Sequence, residues 1–271
     1  MDGEEERIMK FSLTRPVKIV MLGAGGTGAY AAPFLYRLIH TMDRPVRFII
    51  CDGDTVERKN LVRQNFTEGD LAQNKAKVLA ERYSNVFGLE TEYVSQFVES
   101  EDLLKQLIQP ESYQIRGCHY DEEVGNYVQN SLEEIVILLG CVDNNKSRQL
   151  CHQVFLQAKE LIYIDSGNGE YSGQIVCGIR RGGRTYYPPI GQVHPEVFED
   201  EDLFPSELSC ADAAVSAPQT IVANLTAATS IVNLVYNILI LGDNTVRQTL
   251  FNTKNLYVRP TIQKSKRRRA A

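Results

Sequence analysis

The sequence predicts an α/β protein: a mostly parallel sheet with helices on both faces, extended by antiparallel strands in its C-terminal part. Three observations carry that prediction. Short continuous apolar runs end in glycine or aspartate, as strands buried on both faces do. Segments with apolar residues at helical spacing alternate with them, the order of β-α-β units. Beyond Gly167 the alternation stops, and strand-like segments flank one long apolar stretch.

The elements follow in order. "VKIVMLG", Val17–Gly23, is the first core strand, and "GTGAYAAPFLYRLIHTM" is a helix in which Pro33 predicts a kink or a start shifted toward it. "VRFIICD", Val46–Asp52, is the second parallel strand. "QNKAKVLAERYSNVFG" is an amphipathic helix closed by Gly88, and "LETEYVS" a third strand. Residues 99–134 mix proline, glycine and charge with no sustained period and are expected to form an irregular insertion. "EIVILLGCVD", Glu134–Asp143, is again a core strand, followed by a helix over "NKSRQLCHQVFLQAKE" and the strand "LIYIDSG". "GQIVCGIR" and "QTLFNTKNLYVRP" are the expected antiparallel strands. Between them, "TIVANLTAATSIVNLVYNILILG", Thr220–Gly242, approaches membrane-span length, but its three asparagines and its threonines predict a buried helix.

Composition narrows the function classes. The 271 residues carry 29 basic and 34 acidic side chains, a formal charge of −5, which argues against a nucleic-acid or anionic-membrane binder. The local exception is "KSKRRR", Lys264–Arg269, expected to be a solvated tail. Six cysteines, Cys51, Cys118, Cys141, Cys151, Cys177 and Cys210, form no C-x-x-C pair, so neither a zinc ribbon nor a disulfide framework is expected. Cys141 and Cys177 fall in strands and are expected to be packing residues. A reducing cytoplasm is the predicted setting, because the acidic "MDGEEERIMK" lacks the basic start and apolar core of a signal peptide.

"GAGGTG", Gly23–Gly28, is a G-x-G-x-x-G placed directly after a strand and at the start of a helix. Gly23 permits the tight turn, Gly25 the approach of backbone to phosphate, and Gly28 close packing of helix on strand. This context predicts a Rossmann-like nucleotide site. Asp52, at the end of the second strand, is placed to accept hydrogen bonds from ribose hydroxyls, which suits NAD and ATP alike. A dehydrogenase would also need an acid-base group beside a substrate anchor. The four histidines, His40, His119, His152 and His194, form no such motif, and His194 is expected in an exposed loop.

"GAGGTG", then "DGDTVERKNLVRQNF", "QNKAK" and "CVDNNKSR", in this order and spacing, resemble the ThiF/MoeB/HesA superfamily, the ubiquitin-like-protein activating enzymes. The resemblance spans Val17–Gly242. It continues in "SGNGEYSGQIVCGIR", where Gly173 and Gln174 match a glycine-glutamine strand start, and in "LSCADAAVSAPQTIVANLTAATSIVNLV", similar to the family's crossover-loop cysteine and following helix. Small size and "PSELSC" bring the chain nearest to small bacterial ThiF-like proteins, such as the PRTRC-associated group. Such enzymes adenylate a C-terminal carboxylate with ATP and release pyrophosphate, so the resemblance implies ATP and Mg²⁺. The implied partner is a ubiquitin-like or ThiS/MoaD-like protein, or a peptide, with a C-terminal glycine.

Carboxylate and triphosphate repel each other, so cations must lie between them. By that logic Arg63 holds phosphate oxygens, Lys75 binds the same tail from the next helix, and Asn60 orients phosphate or ribose through its amide. Asp143, at the end of a core strand, is the expected Mg²⁺ ligand. By resemblance, Asp52 and Asp54 frame the ribose, Gln64 supports the loop, Arg148 positions the Asp143 segment, and Gly26 and Asn144 join the nucleotide contacts. Cys210 matches the cysteine that takes the activated acyl group as a thioester or acyl disulfide. Blander roles stand beside these. Arg63 could pair with Glu68 or Asp70, Lys77 competes with Lys75, and Asp143 could cap the next helix. Cys210 could be an inert small hydrophobe whose pKa Glu207 and Asp212 raise.

The partition expected from this reading is an N-terminal arm, 1–16, one adenylation domain, 17–258, and a basic disordered tail, 259–271. The domain has a nucleotide-binding half, 17–167, and an antiparallel, crossover-loop half, 168–258. Two departures from the family pattern matter. The paired C-x-x-C zinc cysteines of many relatives are absent, so no zinc is expected. The N-terminal helix whose arginine reaches a neighbouring subunit is not evident, with only Arg7 and Arg15 before the first strand, which leaves a homodimer open. A nucleotide-binding assembly partner without full catalysis and, further off, an NAD-dependent oxidoreductase are the alternatives.

Overall fold

The computed structural model describes residues 8–121, 126–199, 202–207 and 219–262. In chain order come β1 (Met9–Lys10), β2 (Val17–Leu22), α1 (Gly26–His40), β3 (Val46–Cys51), α2 (Lys75–Phe87) and β4 (Glu92–Val94). Then follow α3 (Glu101–Ile108), β5 (Ser112–Asp121), β6 (Asn126–Glu133), β7 (Ile135–Gly140), α4 (Asn145–Gln157) and β8 (Leu161–Asn168). The C-terminal part holds β9 (Ser172–Arg181), β10 (Arg184–Tyr187), α5 (Ile190–Val193), α6 (Ile221–Tyr236), β11 (Asp243–Asn244), β12 (Val246–Asn252) and β13 (Tyr257–Ile262).

One sheet organises them, in the order β13-β12-β9-β8-β7-β2-β3-β4 with β10 on β9. From β4 to β8 neighbours run parallel, whereas β8, β9, β12 and β13 pair antiparallel. The chain leaves β2 toward β3 on one side and later returns on the other as β7. That reversal opens a crevice at the C-terminal strand ends, where an open α/β sheet receives its ligand. Both sheet faces are covered. Val17, Ile19 and Met21 of β2 pack with α1, α2 and α6, and Val20 and Leu22 pack with α3 and α4, the two-residue alternation of a pleated strand. Burial on both faces is why these strands read as unbroken apolar runs.

Several expectations change. Pro33 lies inside α1, which runs unbroken through it. Proline has no N–H for the Ala29 carbonyl, and Asn65 supplies the missing donor, its Nδ2 lying 3.1 Å from that oxygen. Residues 99–134 are ordered rather than irregular. Ser100 Oγ accepts the Leu103 N–H at 3.3 Å and caps α3, with Glu101 and Asp102 in the first turn facing the positive end of the helix dipole. β5 and β6 form a separate two-stranded sheet, irregular between Gln114 and Cys118 at Gly117 (φ 103°). Most of its described side chains are exposed or half-buried, so no alternation of apolar and polar residues marks it in the sequence.

The long apolar helix is half-buried rather than buried. α6, continued by one π-helical turn (Asn237–Leu241), packs Ala223, Ala227, Ile231, Leu234 and Ile238 on the sheet, while Ile221, Val222, Leu225, Tyr236 and Leu241 are exposed. Ile221–Leu241 is long and apolar enough to cross a membrane by length and composition alone, and in this fold one of its faces is part of the core. β13 continues through Pro260 to Ile262, beyond the expected boundary at 258. Proline is tolerated there because β13 is the edge strand. The arm is anchored too: Met9 and Lys10 pair with Asn244 and Asp243. Arg7 and the "KSKRRR" run lie outside the described residues.

Candidate active site

The Gly23–Gly28 turn joins β2 to α1 at the C-terminal edge of the sheet. Gly23 adopts φ 90°, which an L side chain rarely takes, and a Cβ there would strike the Cys141 carbonyl just past β7. Gly26 lies against the Asn224 side chain and Gly28 against the Gly23 carbonyl, so both admit no side chain. Gly25 differs: a Cβ there would meet only Gln64 Nε2, at 3.6 Å. The loop therefore presents its free backbone surface at Gly25, toward the crevice.

Asp52 follows β3 and is buried. Its Oδ2 accepts the Ala24 N–H at 2.6 Å and its Oδ1 the Asp54 N–H at 2.8 Å, so the carboxylate ties the glycine loop to the end of β3. Burial lifts its pKa to about 6, with Asp54 adding to the rise and Lys75 and the two backbone N–H groups opposing it. Asn74 caps α2 by accepting the Lys77 N–H (3.0 Å), and its Nδ2 donates to the Asp52 and Asp54 carbonyls (2.7 and 3.1 Å). This stitching turns Lys75 inward. Lys75 is buried and its Nζ donates to Asp54 Oδ2 at 2.8 Å, whereas Lys77 points out toward Glu81. Asp54 is thus an ion-pair partner of Lys75 in addition to its place beside Asp52.

The polar run after Asp54 forms a short 3₁₀ turn, Arg58–Asn60. Asn60 is buried and its Oδ1 accepts the Glu57 N–H at 2.9 Å, which leaves its Nδ2 for a ligand. Arg63 pairs with neither Glu68 nor Asp70; those carboxylates bind Arg58 and Arg82. Its Nη1 donates instead to Gln219 Oε1 at 2.8 Å, so the cation faces a neutral amide. Gln64 is 7% exposed, and its buried Oε1 has no hydrogen-bond partner. A buried amide oxygen left unpaired costs about 1–3 kcal/mol, and it is the other end of the same amide, Nε2, that lies beside Gly25.

Asp143 stands at the end of β7 as an exposed carboxylate with no hydrogen-bond partner among the described residues. It does not cap α4. Asn144 does, its Oδ1 accepting the Ser147 N–H at 2.8 Å, so that oxygen is occupied by the helix. Asp202 also accepts the Asn145 N–H, at 2.6 Å. Arg148 braces this loop: it donates to the Val142 carbonyl (2.8 Å), Asn145 Oδ1 (2.9 Å) and the Ser166 carbonyl (3.2 Å), and its Nε lies 3.4 Å from Asp165 Oδ1. One free carboxylate beside a phosphate-binding loop suits Mg²⁺, which takes one or two protein carboxylates together with phosphate oxygens and water. No group of three or more metal-binding side chains occurs among the described residues.

Gln174 begins β9 with its amide packed against Gly167. Cys210 lies outside the described residues. Burial pushes the thiols of Cys51, Cys141, Cys151 and Cys177 up to about 12, which makes them poor nucleophiles. His194 is half-buried rather than exposed, held between Gln248 and Glu196. Arg15 is used within the chain, its guanidinium bonded to Glu160 and to the carbonyls of Glu133 and Glu134. A groove beside β3 and β4 is lined in part by Lys18, Arg47 and Lys105, and these cations are paired with glutamates.

A model of the ThiF family matches residues 12–270. The chain belongs to the ThiF family. Among solved structures, this ThiF-family chain is similar to PaaA, with TM-score 0.59 and 15% identity over 92% of this chain and 65% of that one. It is similar to the microcin C7 biosynthetic enzyme MccB in complex with N-formylated MccA, with TM-score 0.62 and 15% identity over 93% and 66%. The structure of E. coli MccB with ATP gives TM-score 0.58 and 14% identity over 93% and 64%. The likeness is one of fold, and the chain spans between 64% and 66% of the length of these three structures. No curated protein matches this ThiF-family sequence.

Behind these groups lies a ring of amides that no sequence motif marks. Asn168 Oδ1 accepts from Thr27 Oγ1 (3.1 Å), and its Nδ2 donates to Asn224 Oδ1 (2.8 Å). Asn224 Nδ2 in turn donates to the Arg63 carbonyl at 3.3 Å. The available signal was an asparagine inside an apolar helix, since a buried amide requires partners.

Proposed function

We propose that this ThiF-family protein uses ATP to adenylate the C-terminal carboxylate of a protein or peptide, releasing pyrophosphate. One observation carries the proposal: around the crevice at the ends of β2, β3 and β7 stand an arginine and an aspartate that find no opposite charge among the described residues, and a glycine open to the crevice. The arginine and the open turn suit phosphate oxygens, and the aspartate suits the Mg²⁺ that would accompany them. The solved complexes of MccB with ATP and with MccA support the same class of chemistry in a protein of this fold.

The triphosphate lies along Gly25 and the start of α1, with the ribose toward Asp52. Arg63 and Asn60 Nδ2 hold phosphate oxygens, and Lys75 exchanges Asp54 for phosphate. An acceptor carboxylate oxygen attacks the α-phosphorus; a new P–O bond forms, the bond to the bridging oxygen breaks, and its electron pair leaves with pyrophosphate. The cations screen repulsion between carboxylate and triphosphate and stabilise the charge moving onto the leaving group. Asp143, braced by Arg148, would hold Mg²⁺, which supplies charge neutralisation at the phosphates.

The acceptor is a ubiquitin-like or ThiS/MoaD-like protein, or a peptide, ending in glycine; in a later transfer the Cys210 thiolate attacks the acyl carbon of the adenylate, forming a thioester as the acyl–phosphate bond breaks and AMP leaves. The exposed apolar side of α1 and α6, with Phe34, Val222 and Leu225, is the surface that a second copy would cover in a homodimer, and light scattering on the purified chain reads that state. The decisive test of the activity is ATP–pyrophosphate exchange with candidate acceptors ending in Gly-Gly. Exchange that depends on an acceptor is expected. ATP binding without exchange for any acceptor would move the protein to a nucleotide-binding assembly role, and retention of NAD(H) without ATP affinity to the oxidoreductase alternative.

A further inference from the structure

Arg63 is gripped at two points by residues outside its own segment. Its guanidinium donates to Gln219 Oε1 (2.8 Å), and Gln219 Nε2 donates to the Asn168 carbonyl (3.3 Å). Its own carbonyl accepts from Asn224 Nδ2 (3.3 Å), and Asn224 Oδ1 accepts from Asn168 Nδ2 (2.8 Å). The two paths close into a ring through Asn168 at the end of β8. Thr27, in the first turn of α1, joins it by donating to Asn168 Oδ1 (3.1 Å). Every side-chain partner in the ring is a neutral amide or hydroxyl.

The neutrality is informative. A carboxylate where Gln219 stands would pair with Arg63 as an ion and compete with any anion entering the crevice. A neutral amide aims the guanidinium and, among the described residues, leaves its charge unpaired, and one hydrogen bond to an amide gives way readily to a bidentate phosphate contact. The cost of fixing a long flexible side chain is then met before the nucleotide arrives. Asn224 is fully buried and abuts Gly26, so the ring refers Arg63 to the same turn that takes the phosphates.

We infer that Gln219 is a positioning residue for the triphosphate: with Asn168 and Asn224 it holds the Arg63 guanidinium aimed and uncompensated at the crevice, and it releases the guanidinium to phosphate when ATP enters. The inference rests on the adenylation reading and deepens it. Its test is calorimetric binding of ATP with Mg²⁺ to the full chain and to Gln219→Glu, Gln219→Leu and the same substitutions in Arg63→Ala, with melting temperatures recorded alongside. Gln219→Glu is expected to weaken ATP binding about tenfold or more while melting no lower than the unaltered protein, because the new carboxylate stabilises the apo pair that ATP must break. Gln219→Leu is expected to weaken binding less, by roughly threefold, through lost orientation alone. In the Arg63→Ala background the two substitutions are expected to become indistinguishable. That opposite movement of stability and affinity is one that a merely structural glutamine does not produce. Gln219→Glu binding ATP like the unaltered protein, or Gln219→Glu still weakening binding more than Gln219→Leu in the Arg63→Ala background, overturns the inference alone. Failure of the unaltered protein to bind ATP overturns it together with the adenylation reading.

Discussion

Arg63 and Asp143 differ from the other charged residues of the crevice in having no opposite charge beside them among the described residues. Removing either should leave the fold intact and the chemistry disabled. Arg63→Ala and Asp143→Ala are each expected to lower pyrophosphate exchange by about two to three orders of magnitude, the usual cost of losing a charge stabiliser, with melting points close to that of the unaltered protein. Cys210→Ala is expected to keep full exchange and lose only transfer of the acyl group; unimpaired transfer by that variant would exclude Cys210 as the acceptor. Among the described cysteines only Cys118 is exposed, which leaves the other four no part in such a step. Asp52 is different again. Its pKa, raised from 3.8 to about 6 by burial, means that the folded chain holds the proton more tightly than the unfolded one. The stability this contributes is full below about pH 3.8 and is lost as pH rises through about 6. Urea unfolding from pH 4 to 7 is expected to show that loss in the unaltered protein and its absence in Asp52→Asn. That substitution also carries a constant offset of about 1–3 kcal/mol, because its amide group cannot accept from both the Ala24 and Asp54 N–H groups.

α1 illustrates how an element can depend on a residue far along the chain. Pro33 would ordinarily break or kink a helix interior by removing a donor and crowding a carbonyl. Asn65 restores the donor to Ala29 and is itself placed by the Arg63–Gln64 turn and by Tyr83, to whose hydroxyl its Nδ2 also donates (3.0 Å). Asn65→Leu should therefore lower stability by about 1–3 kcal/mol through the orphaned carbonyl, measured by urea unfolding. It should also loosen the neighbouring site, read as weaker ATP binding; a variant as stable as the unaltered protein would exclude this role. α3, β5 and β6 went unseen in the sequence because their signals are short. α3 has one good cap and two acidic residues but only eight positions, and β5 and β6 bury too little for alternation to appear. α6 was legible as a helix and misjudged in burial. Its apolar composition is uniform around the axis, so only its docking against α1 and the sheet decides which side is covered.

At the scale of the molecule, a buried ion pair helps to fasten the insertion to the sheet. Lys18, in β2, the middle strand of the parallel part of the sheet, lies 3.3 Å from Glu134 Oε2, with both side chains almost wholly enclosed. Glu134 also accepts from the Glu111 N–H (2.9 Å) and the Tyr113 hydroxyl (3.3 Å), and Lys18 Nζ donates to the Gln109 carbonyl. Lys18→Met, which strands Glu134 without its cation, is expected to cost about 3–5 kcal/mol, whereas Lys18→Met with Glu134→Leu should cost markedly less. Equal losses in chemical denaturation would exclude the pair as the joint.

The sequence by itself determined the parallel strands, the phosphate turn and the inward side chains at the end of β3. Each rests on a local cause: a strand buried on both faces must be continuously apolar, and Gly23 must reach φ 90°. The sequence also carries the polar run Asn60–Gln64, on which the resemblance to the ThiF family rests in part. Only the tertiary structure decided which partners those residues have. Lys75 rather than Lys77 turns inward because Asn74 fastens α2 to Asp52 and Asp54, and Asn144 rather than Asp143 caps α4, leaving the aspartate free. The ring from Arg63 through Gln219, Asn168 and Asn224 joins residues more than a hundred positions apart. Hydrogen bonds of that span leave no periodicity in a sequence. They exist only once the sheet has brought the ends of β3 and β8 and the start of α6 to one edge.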